Sequence, residues 1–341
     1  MIRIYWMYIL MSEKSIKIVK YLDKILFINR AKVNIHDTII ILGTPRSGTT
    51  WLMEILNTIP EYTYLFEPIN PVYSTEAFDV GFTSRTYRLY DDEWPAGENF
   101  LKDIFSGHKF GFLSSYKIKP EVIMRRILGK KLIVKFIRLN RLLPWIAKRF
   151  QLRGIFFIIR HPCAVVASQL KTEVFGYHPK SPPYKGIFPP IEYVLDEATK
   201  IEGLNPDLLN KLKKIKTKEE ILALAWCLDN YVHLSFPKPY PWTTIFYEKL
   251  ILDGRKELTR IFKEIDEKVP RSAIRLLREP SMLTMKNDLK VVDNIEEQLG
   301  KWKKNLSKKQ IERILSIVSD FGLDFYTEEI EPDYENFGVK I

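Results

Sequence analysis

The chain has 341 residues, 46% of them hydrophobic, a formal net charge of +11 and two cysteines. So much apolar content excludes a disordered chain, and two cysteines exclude a disulfide framework, so a folded cytoplasmic protein is expected. The excess of positive charge keeps nucleic-acid binding open as a reading without deciding it.

Residues Met1 to Leu10 are apolar except for Arg3, but ten residues are too few for a bilayer, which takes about 20. No small-residue cleavage site follows, so no signal peptide is expected, and Met11 is a second candidate start. Residues 13–30 set Ile16, Val19, Leu22, Ile25 and Leu26 opposite Lys17, Lys20 and Lys24, a basic amphipathic helix. Such a helix either packs on a sheet or makes peripheral contact with an anionic membrane. Residues 1–35 are accordingly set apart from a single domain over 36–341.

Thr38-Ile39-Ile40-Ile41-Leu42 is a β-branched run with no polar face, as expected of a central strand covered on both sides. Trp51, Leu52, Ile55, Leu56 and Ile59 then recur at helical spacing until Pro60. Between them lies Gly43-Thr44-Pro45-Arg46-Ser47-Gly48-Thr49-Thr50, a small-residue turn whose N–H groups point at one spot at a helix N-terminus. That spot suits an anion. A nucleoside-triphosphatase loop would read G-x-x-x-x-G-K-[ST]; Gly43 and Gly48 keep that spacing, but Thr49 stands where the lysine belongs and Arg46 is the loop's only cation. The segment Pro45 to Trp51 resembles the 5′-phosphosulfate loop of the sulfotransferases, which use 3′-phosphoadenosine-5′-phosphosulfate as donor. The resemblance implies an α/β, P-loop-like three-layer sandwich, a central parallel sheet flanked by helices. It assigns Pro45, Arg46, Ser47, Gly48, Thr49 and Thr50 to the 5′-phosphate. Trp51 resembles the tryptophan that stacks on the donor's adenine; the alternative is an ordinary core tryptophan.

Next, Tyr64-Leu65-Phe66-Glu67-Pro68 resembles the [YF]-E-P motif of carbohydrate and some bacterial sulfotransferases. Cytosolic members carry a K-T-H segment whose histidine is the base; Lys131 to Leu139 offers Lys135 and Arg138 but no histidine. Glu67, at the carboxyl end of a strand, is therefore the candidate base if burial lifts its pKa; otherwise it only orders the turn before Pro68. His108 is the fallback. Lys117 to Arg153 holds twelve Lys or Arg against one acid, Glu121. Such a run makes solvated helix faces or steers an anionic ligand.

Gly154 to Ser168 is a second strand opening a helix, and it presents Arg160 where a triphosphatase would hold magnesium with an acid. Arginine and a helical serine eight residues on can together grip a phosphate. In the sulfotransferases this R-[DHN]-P-x-x-x-x-x-S pattern binds the donor's 3′-phosphate, so the resemblance gives that role to Arg160 and Ser168, and none in catalysis to His161. Residues 171–218 interleave prolines with Tyr177, Tyr184, Phe188 and Tyr193, as a lid or acceptor wall would. Helical spacing resumes from Ala223 to Tyr231.

Strands are expected at 38–42, 131–137, 154–160 and 243–247. Tyr247-Glu248-Lys249-Leu250 resembles the family's YEDL segment, with Tyr247 near the adenine. Gly300 to Lys304 resembles the loop that closes over the 3′-phosphate, which makes Lys301 a candidate contact. Ile311, Ile314, Leu315 and Val318 predict a late helix before the acidic stretch from Glu328 to Glu335.

The expected activity is sulfuryl transfer from 3′-phosphoadenosine-5′-phosphosulfate to the hydroxyl of a carbohydrate, lipid or small molecule, leaving adenosine 3′,5′-bisphosphate. Arg46 and Lys135 would meet the developing charge and Glu67 the proton. No metal is expected, since the five histidines are scattered and neither cysteine has a partner at ligand spacing. No nucleic-acid partner is expected either. A P-loop kinase-like phosphotransferase is the alternative; it would need the lysine absent at Thr49 and the acid absent at Arg160.

Overall fold

Five short apolar runs pair into one sheet because each is buried on both faces and leaves its backbone groups to its neighbours. A computed structural model describes residues 33–70, 74–108, 129–173, 188–279 and 295–339. The strands are β1 (Thr38–Leu42), β2 (Tyr62–Phe66), β3 (Lys131–Lys135), β4 (Gly154–Ile159) and β5 (Thr243–Phe246). They lie in the order β2-β3-β1-β4-β5, and every pairing is parallel. All four expected strands are present, and β2 adds an edge of which only the carboxyl end, at Glu67, was anticipated.

Alternation along the strands sorts the core into two layers. Ile39, Ile41, Ile133, Phe156, Ile158 and Ile245 face helices Thr49–Leu56 and Gly254–Glu264. Ile40, Leu42, Leu132, Val134, Phe157 and Ile159 face helices Pro95–Phe105, Pro162–Thr172, Lys218–Leu234 and Lys308–Asp320. This is the three-layer α/β sandwich that the resemblance implied. The predicted helices over 223–231 and around 311–318 are both present, each opened by a capping box, Thr217 with Glu220 and Ser307 with Gln310.

Of the proline-rich stretch, residues 174–187 lie outside the described ones, as do 13–30. The part that follows is helical at Ile191–Thr199 and Pro206–Leu212, with Val194, Ala198 and Leu212 in the core. Among the described residues, no helix is long and apolar enough to cross a membrane.

Of the basic run, residues 117–128 lie outside the described ones, and the described part is ion-paired throughout. Each of its eight cations within the described residues pairs with an acid from elsewhere: Lys130 with Glu61, Lys131 with Glu267, Lys135 and Arg138 with Glu67, Arg141 with Glu197, Lys148 with Asp91, Arg149 with Glu98, and Arg153 with Asp266. Three of the eight, Lys135, Arg138 and Arg141, are buried. A lone buried charge is costly, so the partners must be drawn in from distant segments.

One such group ties several elements together. Asp229, fully buried in helix Lys218–Leu234, accepts from Arg85 Nε at 3.0 Å on both oxygens and from Arg141 Nε at 3.1 Å. Arg141 also donates to Glu197 on helix Ile191–Thr199, at 3.1 Å. Asp229→Asn removes the charge that balances two buried guanidiniums, and breaking such a pair costs about 3–5 kcal/mol. Denaturant unfolding of the variant should lose stability on that scale; a loss below about 1 kcal/mol would mean that Arg85 and Arg141 find other partners.

Candidate active site

In an all-parallel sheet every strand leaves by the same edge, and the candidate residues gather there because each follows or ends a strand. The Gly43–Gly48 loop follows β1, Glu67 follows β2, Lys135 ends β3, Arg160 follows β4 and Tyr247 follows β5. The order of the chain reverses at β1, with β3 on one side and β4 on the other. Crevices in open α/β sheets lie at such reversals.

The loop is tightly built. A Cβ on Gly43 would lie 2.5 Å from the Ile158 carbonyl oxygen, so the loop passes close beneath β4. Gly48 has φ 103° and would drive a Cβ into the Tyr247 ring at 2.7 Å; only glycine fits. Arg46 and Glu67, two of five non-glycine residues at positive φ, sit at 78° and 54°. Strained backbone of this kind persists only where the surroundings fix it. The Ser47 hydroxyl is buried beneath the loop with no hydrogen-bond partner among the described residues. That orphan donor, the N–H groups of the first helical turn and Thr49 and Thr50 in that turn fit a phosphate.

The two candidate anion-binding motifs touch. Arg46 Nε donates to Ser168 Oγ at 3.0 Å, and Arg160 Nη1 donates to the Arg46 carbonyl at 3.1 Å. Arg160 Nε is buried and has no hydrogen-bond partner among the described residues. Its guanidinium lies 4.2 Å over the Tyr247 ring, and Tyr247 meets Trp51 at 5.7 Å and 57°. Trp51 is buried, and its indole N–H donates to the Leu276 carbonyl at 3.0 Å. It is thus both a core residue and a neighbour of the Tyr247 face.

Glu67 is buried, and its setting is cationic rather than apolar. Lys135 Nζ donates to one oxygen at 2.6 Å and Arg138 Nη1 to the other at 3.0 Å. Burial pushes the Lys135 ammonium below its ordinary value, Glu67 pulls it back up, and Arg138 and Arg46 push it down again. Lys135 also lies 4.3 Å over the Phe66 ring. Arg46, Lys135, Arg138 and Glu67 therefore form one charged group beside the loop. His108 lies elsewhere. It bonds Ser106, whose neighbour Phe105 accepts from Thr38 at the opposite, amino end of β1.

Lys301 opens helix Lys301–Asn305, so the segment expected to be a loop is helical. Its second residue, Trp302, stacks on His161 at 4.4 Å and 20°, next to Arg160. His161 itself is a cap: its Nδ1 accepts from Cys163 N, its Nε2 donates to the Thr327 carbonyl, and burial pushes its pKa down to about 3.

Several supports were not anticipated. Asn140 accepts from Gly43 N at 3.0 Å, Gln169 donates to the Pro45 carbonyl at 3.0 Å, and Asn230 donates to Thr44 Oγ1 at 3.3 Å. Asn140 also reaches Asp229, which couples the loop to the buried ion group. Gln169 adjoins Ser168 in the helix already singled out, which was the one available signal; Asn140 and Asn230 belong to no motif.

No family model matches the chain, and no curated protein matches it. Among solved structures, it is similar to the sulfotransferase domain of the Synechococcus PCC 7002 olefin synthase at 14% identity, over 85% of this chain and 96% of that one, with a TM-score of 0.42. It is similar to mouse sulfotransferase SULT7A1 complexed with PAP at 16% identity, over 86% of both chains, with a TM-score of 0.42. Sulfotransferase STF9 from Mycobacterium avium matches at 13% identity, over 93% of this chain and 82% of that one, with a TM-score of 0.40. At such identities and TM-scores, the chemistry of this chain has to be carried by its own residues.

Glu248, one residue past Tyr247, is buried, and its carboxyl is pushed up from 4.5 to about 7 by desolvation, against hydrogen bonds from His161 N and its own N–H, the Arg160 charge and a bond from Tyr326. The folded protein therefore holds this proton more tightly than the unfolded chain does. The stability this contributes is complete below pH 4.5 and is lost as pH rises through about 7. Glu248→Gln mimics the protonated form, so its stability relative to the parent should grow between pH 5 and 8, by about 2–3 kcal/mol. Parallel stability curves for the two proteins would contradict the shifted proton.

Proposed function

We propose that the chain is a sulfotransferase that moves the sulfuryl group of 3′-phosphoadenosine-5′-phosphosulfate to an acceptor hydroxyl, on a carbohydrate, lipid or small molecule, by in-line displacement. The observation that carries this reading is the contact between the two anion-gripping turns, Arg46 with Ser168 at 3.0 Å and Arg160 with the Arg46 carbonyl at 3.1 Å. A nucleoside triphosphate strings its phosphates along one loop. A nucleotide with phosphates on both its 5′ and 3′ oxygens needs two grips one ribose apart, and two adjoining turns supply them.

On this reading Pro45 to Thr50 cradle the 5′-phosphosulfate, Arg160 and Ser168 take the 3′-phosphate, and Trp51 and Tyr247 flank the adenine. Lys301 is a further contact at the 3′-phosphate end. The acceptor oxygen forms a bond to sulfur while the bond from sulfur to the 5′-phosphate oxygen breaks, and adenosine 3′,5′-bisphosphate leaves. Charge then grows on the sulfuryl and bridging oxygens, where Arg46 and Lys135 stabilise it. Arg46, Lys135 and the loop N–H groups supply the positive charge the step needs, so no divalent cation is assigned a role. Glu67 receives the acceptor proton; Lys135 and Arg138 fix its carboxylate, and each of its oxygens keeps a second lone pair for the hydroxyl. On the same reading the described part of the expected acceptor region, residues 188–218, belongs to the acceptor wall.

Arg160→Ala should weaken binding of adenosine 3′,5′-bisphosphate far more than that of adenosine 5′-phosphate, because a charge-assisted contact to one phosphate is worth roughly 1.5–3 kcal/mol. Equal losses for the two ligands would remove Arg160 from the 3′-phosphate. Glu67→Gln should keep bisphosphate affinity and melting temperature while single-turnover transfer falls by about 10²–10⁴; transfer at the parental rate would remove Glu67 as base. Transfer should also persist in excess chelator, and activity that is lost to chelation and restored by magnesium would favour a kinase-like site.

A further inference from the structure

The turns that carry Arg160 and Tyr247 end different strands, β4 and β5, and each turn passes straight into a helix. Nothing in the parallel pairing of β4 with β5 fixes how the side chains beyond the strand ends meet. Yet the Arg160 guanidinium is held 4.2 Å over the Tyr247 ring. The next residue in each turn supplies the reason. The backbone N–H of His161 donates to Glu248 Oε1 at 2.9 Å, so a single buried carboxylate joins the residue after Arg160 to the residue after Tyr247.

The other carboxylate oxygen is also occupied. Tyr326 donates its hydroxyl to Glu248 Oε2 at 3.1 Å, and the following residue, Thr327, accepts from His161 Nε2 at 2.9 Å. The stretch after helix Lys308–Asp320 thus grips both sides of the junction. Trp302 stacks on the other side of it, on the His161 ring. Behind the turn, Trp226 Nε1 donates to the Arg160 carbonyl at 3.1 Å. The backbone of Arg160 is therefore held at its own carbonyl and at the next N–H, while its buried Nε has no hydrogen-bond partner among the described residues.

We propose that Glu248 is a positioning residue for donor binding: its carboxylate clamps the turn of Arg160 to the turn of Tyr247, so that the guanidinium is pre-set over the phenol ring to receive the 3′-phosphate. The inference rests on the proposed roles of Arg160 and Tyr247. Glu248 touches neither nucleotide nor acceptor in this account; it acts by removing the freedom that Arg160 would otherwise lose on binding. A glutamine preserves the clamp, since its oxygen accepts from His161 N and its amide group donates to the Tyr326 oxygen. An alanine does not.

The test is calorimetric titration of the full chain with adenosine 3′,5′-bisphosphate and with adenosine 5′-phosphate, for the parent, Glu248→Ala, Glu248→Gln and Tyr326→Phe. In Glu248→Ala the preference for the bisphosphate should fall by about tenfold or more, with affinity for the 5′-phosphate within about threefold of the parent. Glu248→Gln should restore the preference to within about threefold of the parent, and Tyr326→Phe, which removes one of the two bonds, should lower it by less than the alanine does. A merely structural glutamate would lower melting temperature in the alanine variant and leave the preference unchanged, and that result overturns the inference. Should Glu248→Ala fail to fold, an unchanged preference in Tyr326→Phe overturns it. A parent protein with no preference for the bisphosphate overturns the sulfotransferase reading and this inference with it, whereas a parental preference that survives in the alanine variant overturns the inference alone.

Discussion

The site exists because the sheet is parallel throughout. Parallel strands buried on both faces have to return through covering helices, so all of their carboxyl ends open on one edge. A phosphate loop, a carboxylate, a lysine, an arginine and a tyrosine from five strands then meet without any of them being near another in sequence. The reversal of strand order at β1 sets the loop in the middle of the group, with the Glu67 and Lys135 strands on one side and the Arg160 and Tyr247 strands on the other. That division matches a nucleotide with two ends. On the proposed reading, charge for the reacting group comes from one side, and the grip on the sugar phosphate and base from the other.

Desolvation decides how the positive charge is arranged. An excess of +11 suggests a basic surface, yet in the described part of the densest basic stretch each cation pairs with an acid brought in from another segment. Glu67 serves two cations at once, and Asp229 does the same one layer deeper. Sharing of this kind holds Lys135 and Arg138 rigidly beside the loop, where a mobile lysine would have to be ordered when the ligand binds. Asn140 extends that rigidity to the loop itself, because its one amide accepts from Gly43 and donates toward Asp229.

What the sequence made legible, and what it hid, follows from the range over which each feature is encoded. The β1 loop and the Arg160 turn are each specified by fewer than a dozen consecutive residues, so strand, turn, helix and anion-binding chemistry are all visible there. Helices 223–231 and 311–318 were legible from spacing alone. Glu248 was quoted only as part of a short segment, because its role depends on His161 and Tyr326, both distant in the chain. Asn140, Asp229 and Asn230 are single polar residues among apolar ones, and only the tertiary structure says what they bond. The ion pairs of the described part of the basic run are hidden for the same reason: the acids lie elsewhere in the sequence. Lys301 was expected in a loop from the resemblance of Gly300 to Lys304 alone, whereas here Trp302 buries its ring on His161 and the chain is helical.

The central claim is that the edge holds a nucleotide by two separated phosphates and not by a triphosphate with its metal. The most direct test is competition calorimetry on the full chain, comparing adenosine 3′,5′-bisphosphate in excess chelator with ATP in magnesium. The account predicts that the bisphosphate binds at least about tenfold more tightly, since each charge-assisted phosphate contact contributes more than that factor. Tighter binding of ATP with magnesium, and loss of bisphosphate binding in chelator, would contradict it.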